Sequence, residues 1–220
     1  MSIHLHKAIE SLKKRILELS SLVEDRVINA IKAVETQDAQ LASQVIDGDS
    51  EIDAAEVEVE EECLKILALH QPVATDLRFI VAVLKINNDL ERIGDLAVNM
   101  ASRARKLAEI KTPPSVRVDF QGGQNRVREM LRKSLEALVN LDEKTAKWVC
   151  TADDEIDTIN RSVFKQVSDG IKQHPEEADR LIMLLSVSRN LERIGDHTTN
   201  IAEDVLYMVR GEIVRHTRVE

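Results

Sequence analysis

With 220 residues, of which 43% are hydrophobic and 31% charged, the chain carries enough apolar surface for one large core or two small ones, which excludes a disordered polar segment. Aromatic residues make up only 2%, while Leu, Ile, Val, Ala, Glu and Lys dominate, so long packed helices are expected rather than a sheet. A formal charge of −9 and an isoelectric point near 5.3 weigh against nucleic acid or an anionic membrane surface as partner, because both need a basic face; a cationic ligand fits better.

In chain order, the punctuation and the helical period predict a first helix from Ile3 to Thr36. A second runs from Asp38 to His70, kinked or broken at Gly48, and a third from Thr75 to Glu109. The segment Lys111 to Gly123, KTPPSVRVDFQGG, holds two of the four prolines and two of the seven glycines and reads as a linker. Beyond it, helices are expected from Gln124 to Val149, Asp153 to Gln173 and Glu176 to Val209. The fold class is therefore all-α: two tandem, duplicated three-helix bundles, residues 1–110 and 124–220, joined by linker 111–123. Short connections favour antiparallel neighbours. No apolar run has the length of a membrane span, and MSIHLHKAIESLKKRI lacks the apolar core of a signal peptide, so a cytoplasmic protein without membrane insertion is expected. Cys63 and Cys150 lack CxxC spacing and read as small buried residues.

The third helix of each half shows the period most clearly. Phe79, Val83, Ile86, Leu90, Ile93, Ala97, Met100, Ala104 and Leu107 form one apolar stripe by steps of four and three. Leu184, Val187, Leu191, Ile194, Ile201, Val205 and Met208 form another, with Thr198 the single lapse. On both helices the hexapeptide LERIGD recurs, so that Glu91, Asp95 and Asn99 reappear 101 residues later as Glu192, Asp196 and Asn200. A second pair, DSEID at Asp49 to Asp53 and DDEID at Asp153 to Asp157, is offset by 104. The turn between the two motifs has thus lost three residues in the second half.

Each half carries two acid-x-x-x-acid elements on adjacent helices. Carboxylates at i and i+4 share a helix face and repel by roughly 0.2–0.5 kcal/mol in an isolated helix. Solvated pairing with Arg92 and Arg193, three residues before Asp95 and Asp196, is one way to offset this. The other is a hard cation held by oxygen ligands: Asp49, Asp53, Glu91 and Asp95 in one half, and Asp153, Asp157, Glu192 and Asp196 in the other. Gly94 and Gly195 lie inside these motifs. A mid-helix Gly costs roughly 1 kcal/mol against Ala, which suggests that a side chain there would block a neighbouring backbone or a ligand. His197, whose counterpart is Leu96, adjoins Asp196 and reads as a supporting or surface residue rather than a catalytic one.

QPVATDLR (Gln71 to Arg78), NDLERIGDLAVNMA, the duplication and NLERIGDHTTNIAED together resemble the PhoU family of phosphate-transport accessory proteins, over nearly the whole chain. The resemblance implies a cytoplasmic, commonly dimeric regulator. Such a protein represses the phosphate-starvation response and links the ATPase subunit of the phosphate ABC importer to a sensor histidine kinase. It also implies multinuclear metal clusters at E(D)xxxD motifs. Iron is the leading candidate, with zinc, manganese or magnesium compatible with carboxylate-only ligands. The DLR of the first half has no counterpart in the second, where the turn reads HPEEADRL. Two other readings stand beside this one: a metal-free helical scaffold, and a metal-dependent phosphohydrolase. Against the latter, no ExxH pattern and no activated Ser or Cys arrangement is found, so no enzymatic activity is expected.

Overall fold

A computed structural model describes residues 3–119 and 121–212. Every regular element among them is helical: α1 (Ile3–Thr36), α2 (Ala39–Asp47), α3 (Asp49–His70), α4 (Ala74–Ala108), α5 (Gln121–Asn140), α6 (Glu143–Gln173), a 3-10 turn (Pro175–Glu177) and α7 (Ala178–Arg210). The first repeat is α1 to α4 and the second α5 to α7. LERIGD falls on α4 and α7, the equivalent last helices of the two repeats. No helix of the described residues is long and apolar enough to cross a membrane.

Three boundaries differ from the sequence reading by three residues or more. Helix α5 begins at Gln121, three residues before the expected Gln124. More consequentially, α5 ends at Asn140 rather than Val149, and α6 starts at Glu143 rather than Asp153. Leu141 breaks the helix by adopting φ 50°, and the Asp142 carboxylate then caps α6, accepting from the Lys144 N–H at 2.9 Å and the Thr145 hydroxyl at 2.6 Å. No Gly or Pro announces this turn. Its twin lies 104 residues earlier, where Gln37 also has φ 50° and Asp38 accepts from the N–H groups of Gln40 and Leu41. The repeat offset of the DxEID motif therefore extends back to the first turn of each repeat.

The break at Gly48 has no twin. In the first repeat the Arg26 side chain, 8% exposed, reaches from α1 to the helix break and donates hydrogen bonds to the carbonyls of Val45 (2.7 Å) and Gly48 (2.8 Å), the latter also accepting from the Glu51 N–H at 3.1 Å. A Cβ at residue 48 would lie 2.7 Å from the centre of that guanidinium, so any other residue must displace it. At the positions 104 residues on, Arg26 is replaced by Met130 and Gly48 by Ala152, both buried, and α6 runs through unbroken.

One apolar core runs through both repeats. Helices α4 and α7 pack along each other at its centre, contributing Ile86, Ile93 and Met100 from one side and Leu191, Ile194 and Val205 from the other, all almost fully buried. Burying each such side chain favours folding by about 1.5–3 kcal/mol. Thr198, the lapse in the second stripe, is buried too, with its hydroxyl donating to the Gly195 carbonyl at 2.7 Å. The linker is fastened to the second repeat. Val116 and Val118 pack on a satellite cluster of Val163, Val167 and Leu181, the Ser115 N–H donates to Glu177 Oε1 at 2.7 Å, and the Arg180 guanidinium donates to the Thr112 carbonyl.

Candidate functional site

Helix α3 meets α4 where Ile52, 1% exposed, seats on Gly94. A Cβ on Gly94 would lie 3.2 Å and 3.3 Å from two Ile52 carbons, so the glycine sets how closely the helices approach. Asp49 and Asp53 flank Ile52 in sequence, while Glu91 and Asp95 flank Gly94, so this contact brings the four carboxylates to one seam. The second repeat repeats the device: Ile156 lies on Gly195, with Asp153 and Asp157 on α6 and Glu192 and Asp196 on α7 beside it. Both sets of four predicted ligands therefore come together, each within its own repeat.

Their electrostatics show the same proximity. Burial, followed by the charge of Asp196 and then of Asp157, Asp154 and Glu192, pushes the Asp153 carboxyl up to about 6. Burial and the charges of Asp196 and Asp157 raise Glu192, and burial with Asp157 raises Asp196, opposed by His197 and Arg193. In the first repeat Asp49 is raised by burial and by Asp53 and Asp95, with Arg26 opposing, and Glu91 by burial and Asp95. The sequence's alternative partner is present as well, since Arg92 lies 3.4 Å from both Glu91 and Asp95 on the surface. Among the described residues no three His, Cys, Asp or Glu side chains converge into a geometry that holds a metal ion. The donor set has the all-oxygen, half-exposed chemistry a hard cation takes.

Sequence reasoning missed three participants. Glu56 extends the acidic face of α3 by one turn; burial and the charges of Glu60 and Asp53 raise its carboxyl, and its Oε1 accepts from Asn87 at 3.0 Å. The spacing Asp49, Asp53, Glu56, Glu60 could have revealed it. The second repeat has Asn160 and Phe164 at the last two positions, so its face is the less acidic. Asp89, almost fully buried, accepts from Asn200 at 3.1 Å and pairs with His197 Nδ1 at 2.8 Å across the α4–α7 seam. Lys85 reaches Asp204 at 3.3 Å along the same seam. His197 thus ties the repeats together, a role its counterpart Leu96 could not fill. Burial pushes the thiols of Cys63 and Cys150 up to about 12, so neither is a ready nucleophile.

The two glycines are not equivalent. At Gly195 an added Cβ would meet Asp153 Oδ1 at 3.4 Å and Ile156 at 3.7 Å, ordinary contacts, whereas Gly94 is tight. Gly195→Ala is therefore expected to raise the stability of chelator-treated protein by up to about 1 kcal/mol through helix propensity, and Gly94→Ala to raise it by much less. Urea unfolding of the two variants side by side checks this; equal gains would show that Ile52 does not restrict residue 94.

These features define a class: a tandem-repeat helical protein in which each copy displays a half-exposed carboxylate quartet at one helix seam. The chain belongs to the PhoU domain family, whose model matches it twice, over residues 16–104 and 124–205. It is 38% identical over 208 residues to a Pseudomonas putida protein described as a phosphate-specific transport system accessory protein PhoU homolog, covering 94% of this chain and 81% of that one. An Aquifex aeolicus protein of the same description is 37% identical over 218 residues, covering 98% and 97%. Among solved structures, PhoU from Pseudomonas aeruginosa superposes with a TM-score of 0.91 at 35% identity, covering 94% of this chain and 99% of that one. The phosphate transport system regulatory protein PhoU from Streptococcus pneumoniae gives 0.85 at 26% identity, covering 96% and 98%.

Proposed function

We propose that this protein is a cytoplasmic, non-enzymatic accessory regulator of phosphate uptake, dimeric in its working form. In this reading it represses phosphate-starvation genes by holding a sensor histidine kinase and the ATPase subunit of the phosphate ABC importer in a phosphate-replete complex. The observation that carries it is the match of both repeats, over nearly the full chain, to proteins described as phosphate-transport accessory or regulatory proteins. The acidic surface supports repression through protein contacts rather than through DNA, and long helical faces suit such contacts. Within this reading, the two carboxylate quartets hold multinuclear metal clusters, iron first.

Deleting the gene is expected to raise phosphate-starvation gene expression severalfold in phosphate-rich medium, with complementation restoring repression. Expression that stays low in the deletion strain, or direct operator binding by the purified protein, would overturn this. A metal-free adaptor is the second reading, favoured by the pairing of Arg92 with Glu91 and Asp95, through which the acids can stand as solvated ion pairs. The metal content of protein purified without chelator decides between the two.

A further inference from the structure

Away from the carboxylate seams, a cleft of about 550 Å³ opens between the end of α1, the linker and the starts of α5 and α7. That volume lies within the range of small-molecule sites. Apolar walls come from Val116 and Val118 of the linker and Leu184 of α7. Two buried donors line it without acceptors. Gln124, 1% exposed, has no hydrogen-bond partner for Nε2. Arg180, 7% exposed, spends Nη2 on the Thr112 carbonyl, but its Nη1 makes no hydrogen bond. Its ion pair with Glu177 Oε2, itself buried without a hydrogen bond, is 3.8 Å long, too far for a hydrogen bond and leaving room for a second acceptor. Leaving such donors unmet inside a protein costs on the order of 1–3 kcal/mol each.

The charged residues lining the cleft balance, two arginines against two acids, so the unmet donors rather than net charge mark it as a site for an acceptor. Arg117 lines it alongside Arg180; of the acids, Glu35 is engaged by Arg128 at 3.6 Å and Asp119 stands on the linker, its N–H donating to Gln166. Ancestral packing does not account for the buried amide. Gln124 stands 104 residues after Ser20, which is equally buried but satisfies itself on the Ile16 carbonyl at 2.7 Å. A polar group that is closed off in the first repeat has become an open donor in the second.

We propose that this cleft binds a small molecule carrying a phosphate or carboxylate oxyanion. The oxyanion accepts from Arg180 Nη1 and Gln124 Nε2, and an organic body of about nucleotide size covers Val116 and Val118. The ligand would touch the linker and both repeats at once, which suits an effector. The site involves none of the eight candidate metal ligands, so it stands whether or not metal binds.

The test is calorimetric titration of the full-length, chelator-treated protein with ATP, citrate and inorganic phosphate separately, so that the three arms distinguish the sources of the oxyanion. Saturable binding of at least one probe at one site per chain is expected. Gln124→Glu, which turns a donor toward the oxyanion into a repelling carboxylate, should weaken it by roughly tenfold or more. Arg180→Gln should do the same where circular dichroism shows it folded, and Gln124→Glu alone decides where it is not. Asp196→Asn, at the metal seam, should leave binding unchanged. No saturable heat from any probe, or binding indifferent to Gln124→Glu, overturns the proposal.

Discussion

Replacing Gly48 by Ala is expected to lower the unfolding free energy by about 2 kcal/mol, and adding Arg26→Met to recover most of that loss. The Cβ added at residue 48 would occupy the site of the Arg26 guanidinium, which is buried and tied to two carbonyls at the α2–α3 break. Moving it sacrifices charge-assisted hydrogen bonds worth about 1.5–3 kcal/mol each and leaves a cation with few acceptors. Arg26→Met alone should also destabilise, because both Arg26 hydrogen bonds are lost, although Gly48 keeps the Glu51 N–H. The double variant reproduces what the second repeat already has, Met130 and Ala152 at the matching positions with a continuous helix. The two losses should therefore fail to add, with a coupling above about 1 kcal/mol in a double-mutant cycle read by urea unfolding. Additive losses would show that the Arg26–Gly48 pair is not one device. The pair also bears on the carboxylate seam, since Arg26 is the cation that opposes the rise of Asp49. Losing it should make the first quartet still harder to ionise.

How much of this was legible in the sequence varies by element. The stripes of α4 and α7 were plain because a 3.6-residue period sustained over helices of 35 and 33 residues leaves little freedom, and the hexapeptide fixed which helices correspond. The opposed quartets followed, because a duplicated motif on two helices of one bundle has few ways to pack. The break at Leu141 was hidden: a left-handed Leu followed by a capping Asp looks, in sequence, like one more charged helical turn. Its twin at Gln37 falls at the boundary between the two helices expected there, Ile3 to Thr36 and Asp38 to His70. The Asp89–His197 bond could not be read at all, since it joins residues 108 apart across the seam between repeats, and internal symmetry pointed to Asn190 and Leu96 instead. Symmetry locates what the repeats share and conceals what sets them apart.

Chelator-treated protein is expected to lose stability as pH rises from about 4 to about 6, and Asp153→Asn to remove part of that loss. The Asp153 carboxyl titrates near 3.8 in an unfolded chain and near 6 in the folded one. The folded state therefore binds this proton more tightly, so its contribution is most favourable below about pH 4 and is progressively lost up to about pH 6. Glu192 and Asp196 are raised and act in the same direction, whereas Glu143 and Glu177, held down by Arg210 and Ser115, act in the opposite one. Comparison of Asp153→Asn with the parent isolates the single group. At pH 7 the variant should be more stable by about 1 kcal/mol, a figure discounted for the water that reaches a half-buried carboxylate, and the difference should vanish near pH 4. A cation held by the quartet reverses the order. Manganese at one hundred times its dissociation constant would stabilise the parent by about 2.7 kcal/mol, and the variant, lacking one oxyanion ligand, by less. The parent should thus be the weaker protein without metal and the stronger one with it. If manganese shifts neither melting curve while the pH effect is present, the quartets are surface acids tolerated for another purpose, and the metal-free adaptor is the correct reading.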